Sequence, residues 1–216
     1  MKKKVYNLIV LDESGSMYSI RNATISGVNE TIQSIKNAQK NHPDQEHYLS
    51  LISFNSEAIH CHYDCVHVND INIFDGKNYE PDSCTPLYDA IGSSISKLRR
   101  QVLEDDQVLV TIITDGLEND SHEYDYKAIT SLMDSMKSRG WVITYIGANQ
   151  DAIKTARALH IDDGLDYDAT PEGVKKMMLE ERKAREAYYK CIEEQDTPKN
   201  VMSKISGNFF KRKKKN

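Results

Sequence analysis

LIVLDESGSM, residues 8–17, runs four apolar residues into an aspartate and then into a small, hydroxylated turn. Together with the residues before it, Lys4 to Leu11 reads as a strand apolar on both faces, the pattern of a strand inside a parallel sheet. Three later stretches match it in kind: HYLSLISF (47–54), QVLVTIIT (107–114) and WVITYIGA (141–148). Between them lie helical periodicities. From Ser19 to about Gln39, Ile20, Val28, Ile32, Ile35 and Ala38 step at helical spacing until Pro43 ends the pattern. Further helices are expected over Leu87 to about Gln101, Tyr126 to Ser138, and 151–160, with a last short strand at Gly164 to Tyr167. Pro171 opens a long charged helix to about Gln195. Asn55-Ser56 is a turn signal, so residues 58–68 are expected to fold back as an antiparallel partner, followed by a polar loop over 69–84. Alternating strands and helices predict an α/β doubly wound, mostly parallel central sheet with one antiparallel edge strand and helices on both faces.

The chain has 216 residues, enough for one domain with a core of ordinary size. The expected organisation is a domain over 1–170, a C-terminal helix over 171–196 packed on it or extending from it, and a basic, disordered tail over 197–216. The net charge of −5 conceals an asymmetry: Lys211 to Lys215 supply five consecutive basic residues, which leaves 23 basic against 33 acidic elsewhere, about −10. An acidic body argues against general nucleic-acid binding, although the tail could touch an anionic surface. No stretch is long and apolar enough to span a membrane. Cys61, Cys65, Cys84 and Cys191 form no Cys-x-x-Cys pair and no secretory segment is apparent, so a cytoplasmic protein with reduced thiols is expected.

Open α/β sheets bind ligands beyond the carboxyl ends of their strands, where strand order reverses. On those loops stand Asp12, Ser14 and Ser16 at alternate positions, Asp115 directly after the third buried strand, and Thr85 at a helix start. Two carboxylates and three hydroxyls form an all-oxygen set suited to a hard divalent cation, Mg²⁺ or Mn²⁺. No histidine or lysine stands within a few residues of any of the five to serve as a base.

Three segments carry a specific resemblance. DESGSM resembles the Asp-x-Ser-x-Ser motif of von Willebrand factor type A domains, CTPLYDAI their threonine loop and following helix, and TIITDG their strand-end aspartate. The similarity in order and spacing covers residues 4–167. It implies a Rossmann-like fold with a metal-ion-dependent adhesion site whose ligands are Asp12, Ser14, Ser16, Thr85 and Asp115, the cation being completed by an Asp or Glu of a partner protein. Ser83-Cys84 stands where many relatives have Gly-Gly. The implied function is a binding module, not an enzyme, acting as an intracellular adaptor; small relatives serve AAA+ ATPases or stress-response complexes. In the family, ligand binding is also coupled to movement of the last helix.

Two other readings compete. A Mg²⁺-dependent phosphohydrolase of the haloacid dehalogenase type also begins with a strand and an aspartate, but needs a second acid two residues on, where this chain has Ser14. A surface adhesin truncated of its leader would hold its cysteines as disulfides. HCHYDCVH (60–67) carries metal-type side chains without the close pairs of a zinc site, so it is expected to be an edge strand with buried thiols and exposed imidazoles. Glu13 is expected to face solvent and Asp89 to be exposed helix polarity, while Glu118, Asn119 and Asp120 extend the acidic loop towards a partner. In the final helix Val174, Met177, Ala184, Tyr188 and Cys191 make a narrow apolar stripe that would cover the sheet.

Overall fold

A computed structural model describes residues 2–148 and 151–210. Six strands form one sheet in the order β3-β2-β1-β4-β5-β6: β1 (Lys3–Asp12), β2 (Gln45–Phe54), β3 (Ile59–His67), β4 (Gln107–Thr114), β5 (Val142–Ala148) and β6 (Asp163–Tyr167). Every neighbouring pair is parallel except β2 with β3, as the turn at 55–56 requires. The helices are α1 (Arg21–Asn41), α2 (Leu87–Leu98), α3 (Tyr126–Ser138), α4 (Ala152–Ala158), α5 (Pro171–Glu194) and α6 (Pro198–Ile205), and a 3-10 turn over Gly15–Ile20 leads into α1.

Side chains alternate across a strand, and β1 uses both faces. Val5, Ile9 and Leu11 join a core with α1, α5 and Phe209, whereas Tyr6, Leu8 and Val10 join a second core with α2 and α3. Each fully buried aliphatic side chain stabilises the fold by roughly 1.5–3 kcal/mol before entropy is counted. Strand order reverses at β1, which lies between β2 and β4, so the crest of the sheet opens between the ends of β1 and β4.

The long helix α5 covers the sheet through its expected stripe, with Val174, Met177, Ala184, Tyr188 and Cys191 all buried. A polar seam accompanies that stripe. Arg185 donates to Glu181 (2.7 Å), to the Asn7 side-chain oxygen on β1 (2.9 Å) and to Thr111 Oγ1 on β4 (2.9 Å). Tyr189 Oη donates to the same Asn7 oxygen at 2.6 Å. A guanidinium removed from water needs such satisfaction, because a lone buried charge costs several kcal/mol.

Three expectations are corrected. The tail from 197 is ordered through 210: Thr197 caps α6 by accepting from the Asn200 amide, Pro198 stands in its first turn, and Val201 and Phe209 are buried against α5. Residues 211–216, the basic run, lie outside the described residues. β3 does not bury its thiols, since Cys61 is exposed and Cys65 half-buried. The pairing of β2 with β3 slips twice, near Leu49–Leu51 and Leu51–Ile52, and Cys65 takes a left-handed backbone (φ 49°), so simple alternation fails there. The two imidazoles are half-buried rather than exposed: His60 Nδ1 meets Glu13, and His62 Nε2 meets Ser53 Oγ at 2.7 Å.

Candidate metal centre

Each expected residue stands at the crest where β1 and β4 end. Asp12 is the last residue of β1 and is wholly buried. The chain must turn there, and Asp12 Oδ1 organises the turn by accepting the Ser14 amide at 2.7 Å, an Asx turn. Its other oxygen accepts from Thr114 Oγ1, the final residue of β4, at 2.5 Å. The turn continues as the 3-10 segment, which lays Ser14 Oγ 3.2 Å from Ser16 Oγ. Ser16 Oγ in turn donates to Asp115 Oδ1 at 2.5 Å, across 99 residues of sequence.

Thr85 arrives from a third direction. Its amide donates to Asn119 Oδ1 (2.8 Å), and its carbonyl accepts from Asn119 N (3.2 Å), so the threonine loop is tied to the loop after β4. Gly116 marks the closeness of approach. A methyl group built on it would lie 3.0 Å from Thr85 Oγ1 and 3.7 Å from Asp12 Oδ2, which places those two oxygens around one point. The structure therefore brings Asp12, Ser14, Ser16, Thr85 and Asp115 together. The Ser83-Cys84 substitution is accommodated: Ser83 takes a left-handed backbone (φ 63°) and its carbonyl receives the Gly15 amide at 3.1 Å.

The electrostatics are unbalanced. Burial pushes the Asp12 carboxyl up to about 6 despite the hydrogen bonds from Thr114 and Ser14, and burial raises Asp115 as well. No lysine, arginine or histidine among the described residues offsets either acid. One buried and one half-buried carboxylate facing hydroxyls, without a cationic side chain, form a donor set that suits a hard divalent ion. Asp12, Ser14, Ser16, Thr85 and Asp115 thus fit such an ion chemically. Among the described residues no group of three or more His, Cys, Asp or Glu is gathered to hold a metal, the 60–67 segment included.

Several supporting residues escaped the sequence reading. Glu13 does not face solvent: only 1% exposed, it accepts from Ser53 Oγ, His60 and the Glu80 amide, and so locks the turn over 12–16 to β2, β3 and the 79–82 segment. Asp89 is not loose helix polarity either; its carboxylate accepts the amides of His122, Glu123 and Tyr124 at 2.7–2.9 Å. Glu118 turns inward to the amides of Tyr88, Asp120 and Ser121. Tyr79 Oη donates to the Asp12 carbonyl at 2.8 Å, and the buried Tyr167 hydroxyl has no hydrogen-bond partner among the described residues. A hydroxyl one residue before the strand-end acid, Thr114 before Asp115, was a visible signal; the inward turn of Glu13 and Asp89 had none.

Comparison with known proteins bears on the fold. No family model and no curated protein sequence matches the chain. Solved structures do match. The pilus adhesin SpaC from Lactobacillus rhamnosus GG, in its open conformation, is 16% identical at a TM-score of 0.62, over 84% of this chain and 30% of the adhesin. The vWF domain of the type V pili tip protein Mfa5 from Porphyromonas gingivalis is 9% identical at a TM-score of 0.57, over 83% of this chain and 95% of that domain. The SpRpn10 VWA domain is 11% identical at a TM-score of 0.53, again over 83% and 95%. The chain thus spans less than a third of the adhesin but nearly all of the two isolated domains. Its fold is that of a von Willebrand factor type A domain.

Proposed function

We propose that this type A-like domain is a metal-dependent protein-binding module, in which Asp12, Ser14, Ser16, Thr85 and Asp115 hold a Mg²⁺ or Mn²⁺ ion that captures an Asp or Glu of a partner protein. The observation that carries the reading is the pair of acids, Asp12 wholly buried and Asp115 half-buried, linked through Ser14 and Ser16 and lacking a cationic side chain. The cation would supply Lewis acidity towards an incoming carboxylate. Three of the five side chains are neutral hydroxyls, so the ion would keep much of its charge for that carboxylate. Thr114 and the Ser14 amide orient Asp12, while Glu13, Asp89 and Glu118 hold the surrounding loops without touching the ion's position. An adhesin and a pilus tip protein among the structural neighbours support binding as the class of activity.

A phosphohydrolase would need an acid at the place of Ser14, whose hydroxyl is instead shared with Ser16. The setting we propose is cytoplasmic, as an adaptor to an AAA+ ATPase or a stress-response complex. Calorimetric titration of the full chain with Mn²⁺ tests the site. One ion should bind the wild type, and Asp12→Ala should weaken uptake by about 100-fold or more while the circular dichroism spectrum stays unchanged. Equal uptake by both proteins would refute the reading.

A further inference from the structure

A cleft of about 1250 Å³ lies beside the turn over 12–16, walled by Tyr18 of the 3-10 segment, Arg21 of α1, β3 and the 73–82 stretch. Small-molecule sites enclose roughly 300–1,000 Å³, so this space suits a length of polypeptide better than a metabolite. Its outer wall is built in advance. Asn29 on α1 clamps Phe74 in both directions, donating to its carbonyl (2.8 Å) and accepting its amide (2.9 Å). Arg21 donates to the carbonyls of Gly76 (2.7 Å) and Tyr79 (2.8 Å). These bonds fix the backbone while leaving apolar side chains in water: Ile73 is 77% exposed, Tyr18 73% and Ile59 43%, and all three line the one cleft. Three large apolar groups converging on a preformed concavity mark an interaction surface rather than scattered exposure.

The charge of the cleft is lopsided. Five acidic residues line it against one arginine and one lysine, with His60 and His62 turned to Glu13 and Ser53. Both basic groups are already engaged, Arg21 with backbone carbonyls and Lys77 with Asp75 at 2.9 Å. Glu57, Glu80 and Asp82 remain at the lip, all exposed. The cleft also adjoins the turn over 12–16 and the 3-10 segment that continues it. Glu13 and Tyr18 belong to both, and Ser83 joins them by accepting the Gly15 amide and donating to Glu57 at 3.3 Å.

We propose that this cleft receives the flank of the partner segment whose carboxylate seats at the cation, and that the flank is basic and apolar, with Lys or Arg facing Glu57, Glu80 and Asp82 and aliphatic side chains covering Ile73, Tyr18 and Ile59. The inference rests on the metal-dependent reading for the anchor but on separate residues for the flank. An acidic lining repels nucleic-acid phosphates and acidic partners, and this sets specificity more than raw affinity.

Two fluorescent nonapeptides test it by anisotropy against the full chain, with Mg²⁺ and with chelator: Lys-Leu-Lys-Leu-Asp-Leu-Lys-Leu-Lys, and the same peptide with Glu for every Lys. The basic peptide should bind at least about tenfold more tightly than the acidic one in Mg²⁺. Ile73→Ser should weaken it several-fold, and Glu57→Lys with Glu80→Lys should reverse the preference. Glu186→Lys, an exposed site on α5 outside the cleft, should leave it unchanged. Equal binding of the two peptides, indifference to the cleft variants, or no binding of either peptide overturns the inference. Basic preference that persists in chelator and still depends on Ile73 upholds the cleft and counts against the metal anchor alone. Metal-dependent binding that ignores Ile73, Glu57 and Glu80 does the opposite.

Discussion

Asp12 closes β1 with a carboxylate that solvent does not reach, and burial holds its pKa at about 6. A folded-state value above the unfolded value of 3.8 means that the folded protein grips this proton more tightly. The favourable contribution is therefore complete below the unfolded pKa and is lost as pH rises through about 6. At neutral pH the ionised group costs the metal-free protein on the order of 3 kcal/mol relative to a neutral side chain. Asp12→Asn removes that cost while keeping an acceptor for the Ser14 amide. Thermal melts at pH 7.5 in chelator should show the variant more stable than the wild type by several degrees. Mg²⁺ should raise the melting temperature of the wild type and not of the variant. A variant that melts lower in chelator would contradict the electrostatic description of the site. Glu13, its neighbour in sequence, has the opposite duty. Replacing it by alanine leaves the Glu80 amide and Ser53 without their acceptor, and a loss of about 1–3 kcal/mol is expected in urea unfolding. A value near zero would show that water takes over those contacts.

Elements with strong periodicity were legible from the chain alone. β4 and α3 occupy 107–114 and 126–138, as their apolar spacing required, and the five oxygen donors were readable because each sits at a strand end or a helix start. What escaped reading depends on tertiary placement. Glu13, Asp89 and Glu118 look like any surface acids in sequence, and only the arrival of foreign backbone amides turns them inward. Helix α6 escaped reading because its eight residues, with Val201, Met202 and Ile205 as the apolar positions, are too short a window between polar and basic neighbours, although Thr197-Pro198 repeats the start signal of Thr170-Pro171. Two tests belong at this scale. Asp89→Ala should free the amides of 122–124, so their hydrogen exchange should quicken by tenfold or more while the strands stay protected; unchanged rates would remove Asp89 as the anchor of that loop. Ending the chain at 196 strips Val201 and Phe209 from the α5 core and should cost about 2–4 kcal/mol, read as a lower urea midpoint. An unchanged midpoint would mean that α6 merely rests on the surface.

At the scale of the molecule, the sheet is a device for bringing distant residues to one crest. Parallel β1 and β4 lie side by side, so their carboxyl ends deliver Asp12 and Asp115 together, and α2 presents Thr85 from the face opposite α5. The seam from Arg185 to Asn7 and Thr111 ties α5 to the middle of those same two strands, below the crest. The cleft beside β3 extends the crest sideways with an acidic lining. The proposed function requires that the five oxygens share one cation. Anomalous diffraction from crystals grown with Mn²⁺ measures that directly. The expected result is a single strong peak at roughly 2.0–2.4 Å from oxygens of Ser14 and Ser16 and of at least one of Asp12, Thr85 and Asp115, the others joined through water. A peak elsewhere, or none at saturating Mn²⁺, would contradict it.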